Sequence, residues 1–416
     1  MDASRFIARR ISDSGASPQE RDRLLRVSHH IAWISVALSI AVMVISVAVV
    51  GGFKDEIRAK ATGFMGSAVL CKPGQGPLNE QFPFKGTLSY SDSLLALTEV
   101  TSLSPVAYRS GMIRHEGEIG GAWFKGVDSL YDFSFFADAL SAGSLPDYSG
   151  RISPDVLLSA RLAAQLGLAV GDTLNAYFVR DDLKARNFRV CGLFDAQLEE
   201  IDNSFILADL RHIRRLNGWA TDEVSALEVR IRPSADIDAA VERITDVEYR
   251  LATDDDAPLF IHSVKKIYPH LFDWLAVLDM NVLMILVLMM AVAGFNMISS
   301  LLILLFRKVS MIGVLKSLGM RDGALTRVFL LRSARVVGKG LLWGNVVALA
   351  VCFAQKCFHV ITLDPANYFV KYVPIRLDFG KILLLDVASA VAILLILSLS
   401  AVVIAKVSPA KTMRVE

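Results

Sequence analysis

Side chains capable of chemistry are few in this 416-residue chain, and they do not gather. The seven histidines are scattered. The adjacent pair His29-His30 lies at the edge of an apolar run, which suits an interfacial position better than a ligand pair. No phosphate-cradling GxxxxGKS/T, zinc-binding HExxH or nucleophile-elbow GxSxG is present. Asp254-Asp255-Asp256 has the charge for a cation but not the surrounding ligand spacing, so it reads as a solvated acidic turn. The four cysteines, Cys71, Cys191, Cys352 and Cys357, show neither CxxC nor metal-ligand spacing. Cys71 and Cys191 fall in one soluble-looking segment, which leaves open a disulfide in an oxidising compartment or two free thiols, the commoner state of isolated cysteines. No acid is placed beside a base. The chain is therefore expected to be non-catalytic and without a cofactor of its own, drawing any energy for work from a partner.

The elements around these residues are more informative. Hydrophobic residues make up 53% of the chain and mean hydropathy is +0.46, as expected for a protein part in membrane and part in water. A net charge of +2 implies no nucleic-acid surface. The uncharged run Ile31 to Phe53 would make a helix of about 34 Å, enough for a hydrocarbon core of about 30 Å. It starts late, is too long for a signal-peptide core and lacks a cleavage site, so an uncleaved first span is expected. Met280 to Phe306 is a second uncharged run, in which Gly294, Asn296, Ser299 and Ser300 suit close helix contact or inter-helix hydrogen bonds. A third span has Arg332, Arg335 and Lys339 on one face at its start, placed to snorkel to headgroups, before the uncharged Gly340 to Gln355. A fourth runs from about Leu383 to Ala405, with Asp386 near its outer end.

Charge sets the orientation. Arg5, Arg9, Arg10, Arg21, Arg23 and Arg26 precede the first span; Arg307, Lys308, Lys316, Arg321 and Arg327 lie between the second and third; Lys406, Lys411 and Arg414 follow the fourth. With four spans these three segments share one side, and the positive-inside rule makes it the cytoplasmic one, N-in and C-in. The expected order is a cytoplasmic segment 1–30, spans at 31–53, 274–306, 328–356 and 382–405, an outer domain 54–273, an inner loop 307–327, an outer loop 357–381 and a cytoplasmic tail 406–416.

The outer block reads as an α+β fold. Strand-like stretches are Phe188–Phe194, Ser204–Leu207 and Ala226–Ile231, and amphipathic helical pieces are Ser153 to Leu166, Asp209 to Leu216 and Asp236 to Ile244. Gly167 is expected to end a helix, and Gly171-Asp172 to turn the chain into a strand Thr173 to Val179. Pro73, Gly74, Gly76 and Pro77 mark an early loop. In the inner loop, Val309 to Leu318 reads as a helix with Ile312, Leu315 and Leu318 on one apolar side and Lys308 and Lys316 elsewhere. Gly319 would terminate it and Asp322 would cap the next helix. Such a helix either lies along the lipid or presents a face to a cytosolic protein.

Several segments together resemble the FtsX-like ABC-transporter permeases, and within them the lipoprotein-releasing LolC/LolE type. They are Phe6–Arg10 followed by the first span and Gly51–Ile57, Ile152–Pro154 through Leu166–Leu168 to Val170–Asp172, Phe188–Phe194 with Glu200–Asp202, Phe295–Ser299, and Ile312–Gly319. Leu363–Pro365, Tyr372–Pro374 and Pro409–Arg414 complete the set. The resemblance implies a multi-pass inner-membrane protein with four transmembrane helices and a large α+β periplasmic domain, a MacB-like core, between helices 1 and 2. It implies a cytoplasmic ABC ATPase as partner, holding the ATP and Mg, and a second permease, identical or homologous. A lipidated substrate protein and a periplasmic acceptor or chaperone are implied as well, and no nucleic acid. First and second spans of the dimer would form the lipid-facing cavity. Contact with the ATPase would fall on Val309, Ile312, Leu315, Lys316, Leu318 and Gly319, with the helix before Ile31, and the family motif of the outer domain on Gly171, Asp172 and Asp202. Arg307–Ser310 departs from the acidic residue common before the Ile-Gly-x-Leu-Lys core, and Arg332 from a common Gln or Glu. Two other functions fit the same scaffold: a regulatory subunit transmitting ATPase state to cell-wall hydrolases, and a MacB-like exporter, whose permeases usually carry a fused ATPase absent here.

Overall fold

The computed structural model describes residues 21–180, 182–307 and 309–405. The segment before residue 21, Lys308 and the tail with Lys406, Lys411, Arg414 and the motif Pro409–Arg414 lie outside the described residues. The chain divides into a helical unit and an inserted unit; the latter comprises Asp55–Trp274 and Leu363–Lys371.

Among the described residues, four helices are long and apolar enough to cross a membrane, within Arg21–Met65, Pro269–Arg307, Asp322–Phe358 and Phe379–Ala405. The shortest has 27 residues, about 40 Å of helix at 1.5 Å per residue. The protein is thus multi-pass, with a large α+β periplasmic domain inserted between the first and second of these helices. The first helix runs on beyond the apolar stretch, through Gly51 and Gly52, to Met65.

Small residues set the packing of the helical unit. Gly340, Gly344, Ala348 and Cys352 recur every four residues on the third helix, all buried. A methyl group at Gly340 would lie 2.6 Å from Val36 Cγ1, and at Gly344 2.7 Å from the Ala37 carbonyl oxygen. The stripe lets the first and third helices approach to backbone contact, where dispersion replaces the hydrophobic drive that lipid removes. Val36, Ile40, Val44, Met297, Phe329, Val337, Ile393 and Leu397 form the core around it. Asn296 Nδ2 donates to Ser35 Oγ across the first and second helices, and Gly294 meets Ile396. Both fit the close contact expected of the second run.

The strands of the inserted unit are β1 (Ala68–Cys71), β2 (Phe84–Lys85), β3 (Val100–His115), β4 (Glu118–Val127), β5 (Leu140–Gly143), β6 (Asp155–Ser159), β7 (Thr173–Val179), β8 (Leu183–Phe194), β9 (Phe205–Asp209), β10 (Glu223–Val224), β11 (Ala226–Ile231) and β12 (Phe260–Ser263). Ten of them form one sheet in the order β12-β1-β11-β3-β4-β9-β6-β8-β5, with β7 joined to β3 and β8; β2 and β10 pair separately. β3 holds the sheet together, since Val100–Val106 pairs with β11 and Ala107–His115 with β4. Each half has its own core. On one side Leu70, Leu227 and Val229 pack with Ile244 of the helix Ile237–Leu251. On the other, Phe124, Phe178, Phe188 and Ile206 pack with Leu162, Ile213 and Leu216.

Local signals mostly hold. Gly167 closes a helix at φ 66°, Asp209 and Asp236 cap helices, and β7 begins at Thr173 after the turn. The helical piece expected over Ser153 to Leu166 is corrected: Asp155–Ser159 is strand β6, and the helix is Ala160–Leu166. Val156, Leu157 and Leu158 are all fully buried, so the strand lacks alternation and mimics a helical apolar face. Ser159 Oγ accepts from Leu162 N–H at 3.0 Å and starts the helix. Cys71 and Cys191 are free, and burial pushes both thiols up to about 11. Asp254 and Asp255 are exposed. Burial raises the Asp256 carboxyl, but hydrogen bonds from Ser89 and Thr253 outweigh that and bring it to about 2. Among the described residues no three His, Cys, Asp or Glu side chains group to hold a metal.

Candidate functional site

The segment after the second long helix forms a short hairpin. Its helix is Val309–Ser317, and Gly319 at φ 89° ends it. Gly319 N–H donates to Lys316 O and Met320 N–H to Leu315 O, both at 3.0 Å. This is the Schellman pattern, which satisfies the last carbonyls and needs a residue free to adopt left-handed backbone. Ile312 and Leu315 are half-buried against the core of the helical unit, with Met320 beside them. Val314 and Leu318 are exposed, Leu318 by 78%. The single apolar side expected for Ile312, Leu315 and Leu318 is therefore corrected: two residues anchor the helix and Leu318 points away. Ile312 and Leu315 do the anchoring, and Leu318, just past the end of the helix, is left uncovered.

Lys316 is not a free cation. Its Nζ lies 2.8 Å from Asp322 Oδ1, across the Gly319 turn. Asp322 is accordingly not the cap of the next helix. Arg321 occupies the cap position without a side-chain bond, and Asp322 is the first helical residue. A carboxylate in a first turn is favourable to the helix dipole, and here it also holds the hairpin closed.

Gly171, Asp172 and Asp202 have local duties in the inserted unit. Gly171, at φ 98°, donates its N–H to Val190 O at 2.8 Å, and Asp172 Oδ2 accepts from Ala169 N–H at 2.8 Å. Asp202 is buried and accepts from Ala196 N–H at 2.9 Å and Leu198 N–H at 3.2 Å. Burial pushes its carboxyl above the usual range, against those two hydrogen bonds. Among the described residues, the Gly171-Asp172 turn and Asp202 share no hydrogen-bond partner.

Lys339 Nζ lies 5.8 Å from the Trp33 ring centroid, and Trp33 Nε1 donates to His30 Nδ1 at 3.1 Å. Aromatic and cationic side chains together are the usual furniture of a membrane interface.

Three features escaped the reading of the sequence. The small-residue stripe was visible as GxxxG within an apolar run. The second is a buried ion pair. Lys125 Nζ lies 2.8 Å from Glu228 Oε1, donates to the Phe64 carbonyl and lies 3.0 Å from Tyr131 Oη. Tyr108 Oη donates to Glu228 Oε1 at 2.8 Å. The third is Lys60, which touches two segments remote in sequence. Neither of the last two carries a local motif.

A family model described as the MacB-like periplasmic core domain matches residues 31–247, just over half of the chain, and one described as the FtsX-like permease C-terminal matches residues 283–409. The chain is 23% identical to a lipoprotein-releasing system transmembrane protein LolC of Neisseria meningitidis serogroup B, over 84% of this chain and 85% of the relative. It is 20% identical to a lipoprotein-releasing system transmembrane protein LolE of Haemophilus influenzae, over 95% of this chain and 96% of the relative. The crystal structure of the periplasmic region of MacB from Actinobacillus actinomycetemcomitans covers 51% of this chain and 96% of its own, at 16% identity and a TM-score of 0.34. The two family models cover both the inserted domain and the later helices, and the chain belongs to the FtsX/MacB-type permease family, as a non-catalytic transmembrane subunit.

Proposed function

We propose that this chain is the permease subunit of an ABC transporter that releases lipoproteins from the inner membrane toward the outer membrane. The carrying observation is similarity to LolC and LolE proteins along 84% and 95% of the chain, which takes in the inserted domain, the spans and the inner hairpin together. Its partners are a cytoplasmic ABC ATPase, a second permease, a lipidated substrate and a periplasmic acceptor. The N-in, C-in orientation and the domain limits given above belong to this reading and are supported by the charge bias. The MacB-like exporter reading draws on the family model for residues 31–247. Depletion followed by membrane fractionation separates them: outer-membrane lipoproteins are expected to accumulate several-fold in the inner membrane. An unchanged lipoprotein distribution would overturn the proposal. A rise in sensitivity to exported peptides or drugs would then favour the exporter, and loss of cell-wall hydrolase activity the regulatory subunit.

The ATPase contact in this reading is the helix Val309–Ser317 with Leu318 and Gly319. Ile312 and Leu315 seat the helix, and Lys316 braces it through Asp322. Leu318 is the residue to engage the partner. Leu318→Asp is expected to leave the amount of protein in the membrane unchanged, since the side chain is exposed and anchors nothing in the chain, while co-purified ATPase falls at least tenfold. Leu315→Pro should lower both the protein level and the captured ATPase, because proline inside a helix costs about 3 kcal/mol. Lys316→Glu alone is ambiguous, as it also sets a like charge against Asp322. The exchange Lys316→Asp with Asp322→Lys keeps the brace and isolates the partner's requirement. ATPase capture and stimulation by the Leu318→Asp protein at wild-type levels would remove this helix as the contact.

A further inference from the structure

The outer loop between the last two long helices does not belong to one unit. Thr362 and Tyr372 group with the helices, but the tip between them, Leu363–Lys371, groups with the inserted domain. The tip is compact. Leu363 N–H donates to Lys371 O at 2.9 Å, and Asp364 O accepts from Tyr368 N–H at 3.0 Å around the single helical turn Pro365–Tyr368.

What holds the tip is a set of named contacts inside the inserted unit. Lys60 Nζ donates to the Phe369 carbonyl at 2.7 Å and to Gln197 Oε1 at 2.7 Å. The Lys60 side chain is only 11% exposed, so both bonds are shielded from water and from salt. Lys371 Nζ pairs with Asp195 Oδ2 at 2.9 Å, and the Phe369 ring meets Trp274 edge-on at 5.9 Å. Among the described residues, Glu116, Gln197, His359 and Phe369 are the non-glycine residues with positive φ. Two of them, Gln197 at 58° and Phe369 at 61°, deliver oxygens to the same ammonium. Left-handed backbone at such residues persists where surroundings over-determine it.

The receiving turn is itself built by Asp202. Its carboxylate takes the N–H groups of Ala196 and Leu198, the residues on either side of Gln197. Gln197 N–H in turn reaches Asp195 Oδ1 at 3.2 Å. One buried carboxylate thus shapes the segment that offers Gln197 to Lys60 and Asp195 to Lys371.

We infer that Lys60 and the Asp195–Asp202 turn form a receptor for the loop tip, with Asp202 as its positioning residue, and that this attachment passes movement of the last two spans to the inserted domain. The transport half of this inference rests on the permease reading above; the attachment half does not. The chain also passes between the two units at Lys54–Asp55 and Trp274–Leu275, so release of the loop tip should uncouple transport without dismantling the complex.

The test uses the full complex in lipid nanodiscs. It compares wild type with Lys60→Met, which fills the space but cannot donate, and with Lys371→Glu, whose exposed side chain poses no risk to folding. Hydrogen exchange of residues 363–371 is expected to quicken at least tenfold in Lys60→Met and less in Lys371→Glu. Lipoprotein released per ATP hydrolysed should fall at least fivefold in Lys60→Met. Asp202→Asn should quicken exchange at both 195–198 and 363–371, a pattern that a defect confined to its own turn would not give. Bridging Asp195→Cys to Lys371→Cys with a short bismaleimide in the Lys60→Met background should slow tip exchange and restore release. Unchanged tip exchange in Lys60→Met and Lys371→Glu would overturn the receptor. Quickened exchange with release per ATP unaltered would overturn its role in coupling. If the wild-type complex releases no lipoprotein at all, the permease reading fails while the exchange measurements still decide the attachment.

Discussion

Lys125→Met is expected to destabilise the inserted domain by about 3–5 kcal/mol, the cost of leaving one partner of a buried ion pair behind. Lys125 and Glu228 are fully enclosed, with side-chain exposures of 0% and 2%. Burial pulls the Lys125 ammonium below its usual range and the Glu228 carboxylate opposes that fall. Burial, with Glu228 next, holds the Tyr108 hydroxyl well above its usual range, so it stays a donor at neutral pH. Every hydrogen of the ammonium has a taker in Glu228, Tyr131 and the Phe64 carbonyl. Removing the cation strands the carboxylate and also frees Phe64 O, one of the last carbonyls of the first long helix, which otherwise lacks an intrahelical partner. Arg230 secures the preceding carbonyl, Gly63 O, at 3.2 Å, so the helix end should loosen rather than detach. Glu228→Leu alone should be similarly costly, because it leaves the ammonium unpaired. The pair Lys125→Met with Glu228→Leu should recover most of the loss, since neither charge then remains buried. Thermal unfolding of the purified protein, with hydrogen exchange at residues 61–65 as the local readout, checks this. Single and double replacements with equal effects would show that packing, not charge, governs the site.

What the sequence alone made readable follows from the range over which each interaction acts. An uncharged run of membrane length needs no partner to be recognised, and the four long helices appear where such runs predict them. The glycine turns at 167 and 171 are local too: each satisfies a backbone conformation within a few residues. β6 was misread because burial on both faces erases the alternation that marks a strand. The inner hairpin was read correctly in its stop signal and wrongly in its faces. Whether Ile312, Leu315 or Leu318 turns inward depends on where the core of the helical unit lies, and the residues of that core come from four helices. The least readable features join the most distant residues. Lys125 and Glu228 are 103 positions apart, and Lys60 and Phe369 are 309 apart. Nothing in a lysine's neighbours along the chain announces an acceptor so far away.

The adjacent glycines of the first helix should respond to the same substitution with opposite signs. A helical glycine replaced by alanine ordinarily gains about 0.8–1 kcal/mol from propensity, and Gly51→Ala should show a gain of that kind. The methyl group at Gly51 would sit 3.7 Å from Arg376 Cβ, an ordinary contact. At Gly52 the same methyl would fall 2.3 Å from the Pro374 carbonyl oxygen and 2.8 Å from Ile375 N. Those are backbone atoms, which no rotamer change can move aside. The crossing segment is also tied to the helix by the Arg376 N–H, which donates to Ala48 O at 3.0 Å. Gly52→Ala must therefore push the chain at 374–376 away from the helix and break that bond, or bend the helix itself. Overpacking of this kind costs about 1–3 kcal/mol, and the larger Gly52→Val should exceed it. The thermal midpoint of detergent-extracted protein is expected to rise slightly for Gly51→Ala and to drop by several degrees for Gly52→Ala, with membrane levels following. Equal tolerance at both positions would mean that the outer loop does not cross the helix at Gly52. The contrast also bears on the attachment at Lys60, eight residues further along the same helix. The segment 372–376 is the return arm of the loop whose tip Lys60 holds, so Gly52→Val should quicken hydrogen exchange in 372–376 while leaving 363–371 protected. Exchange quickening equally through both stretches would instead make the loop a single unit released at once.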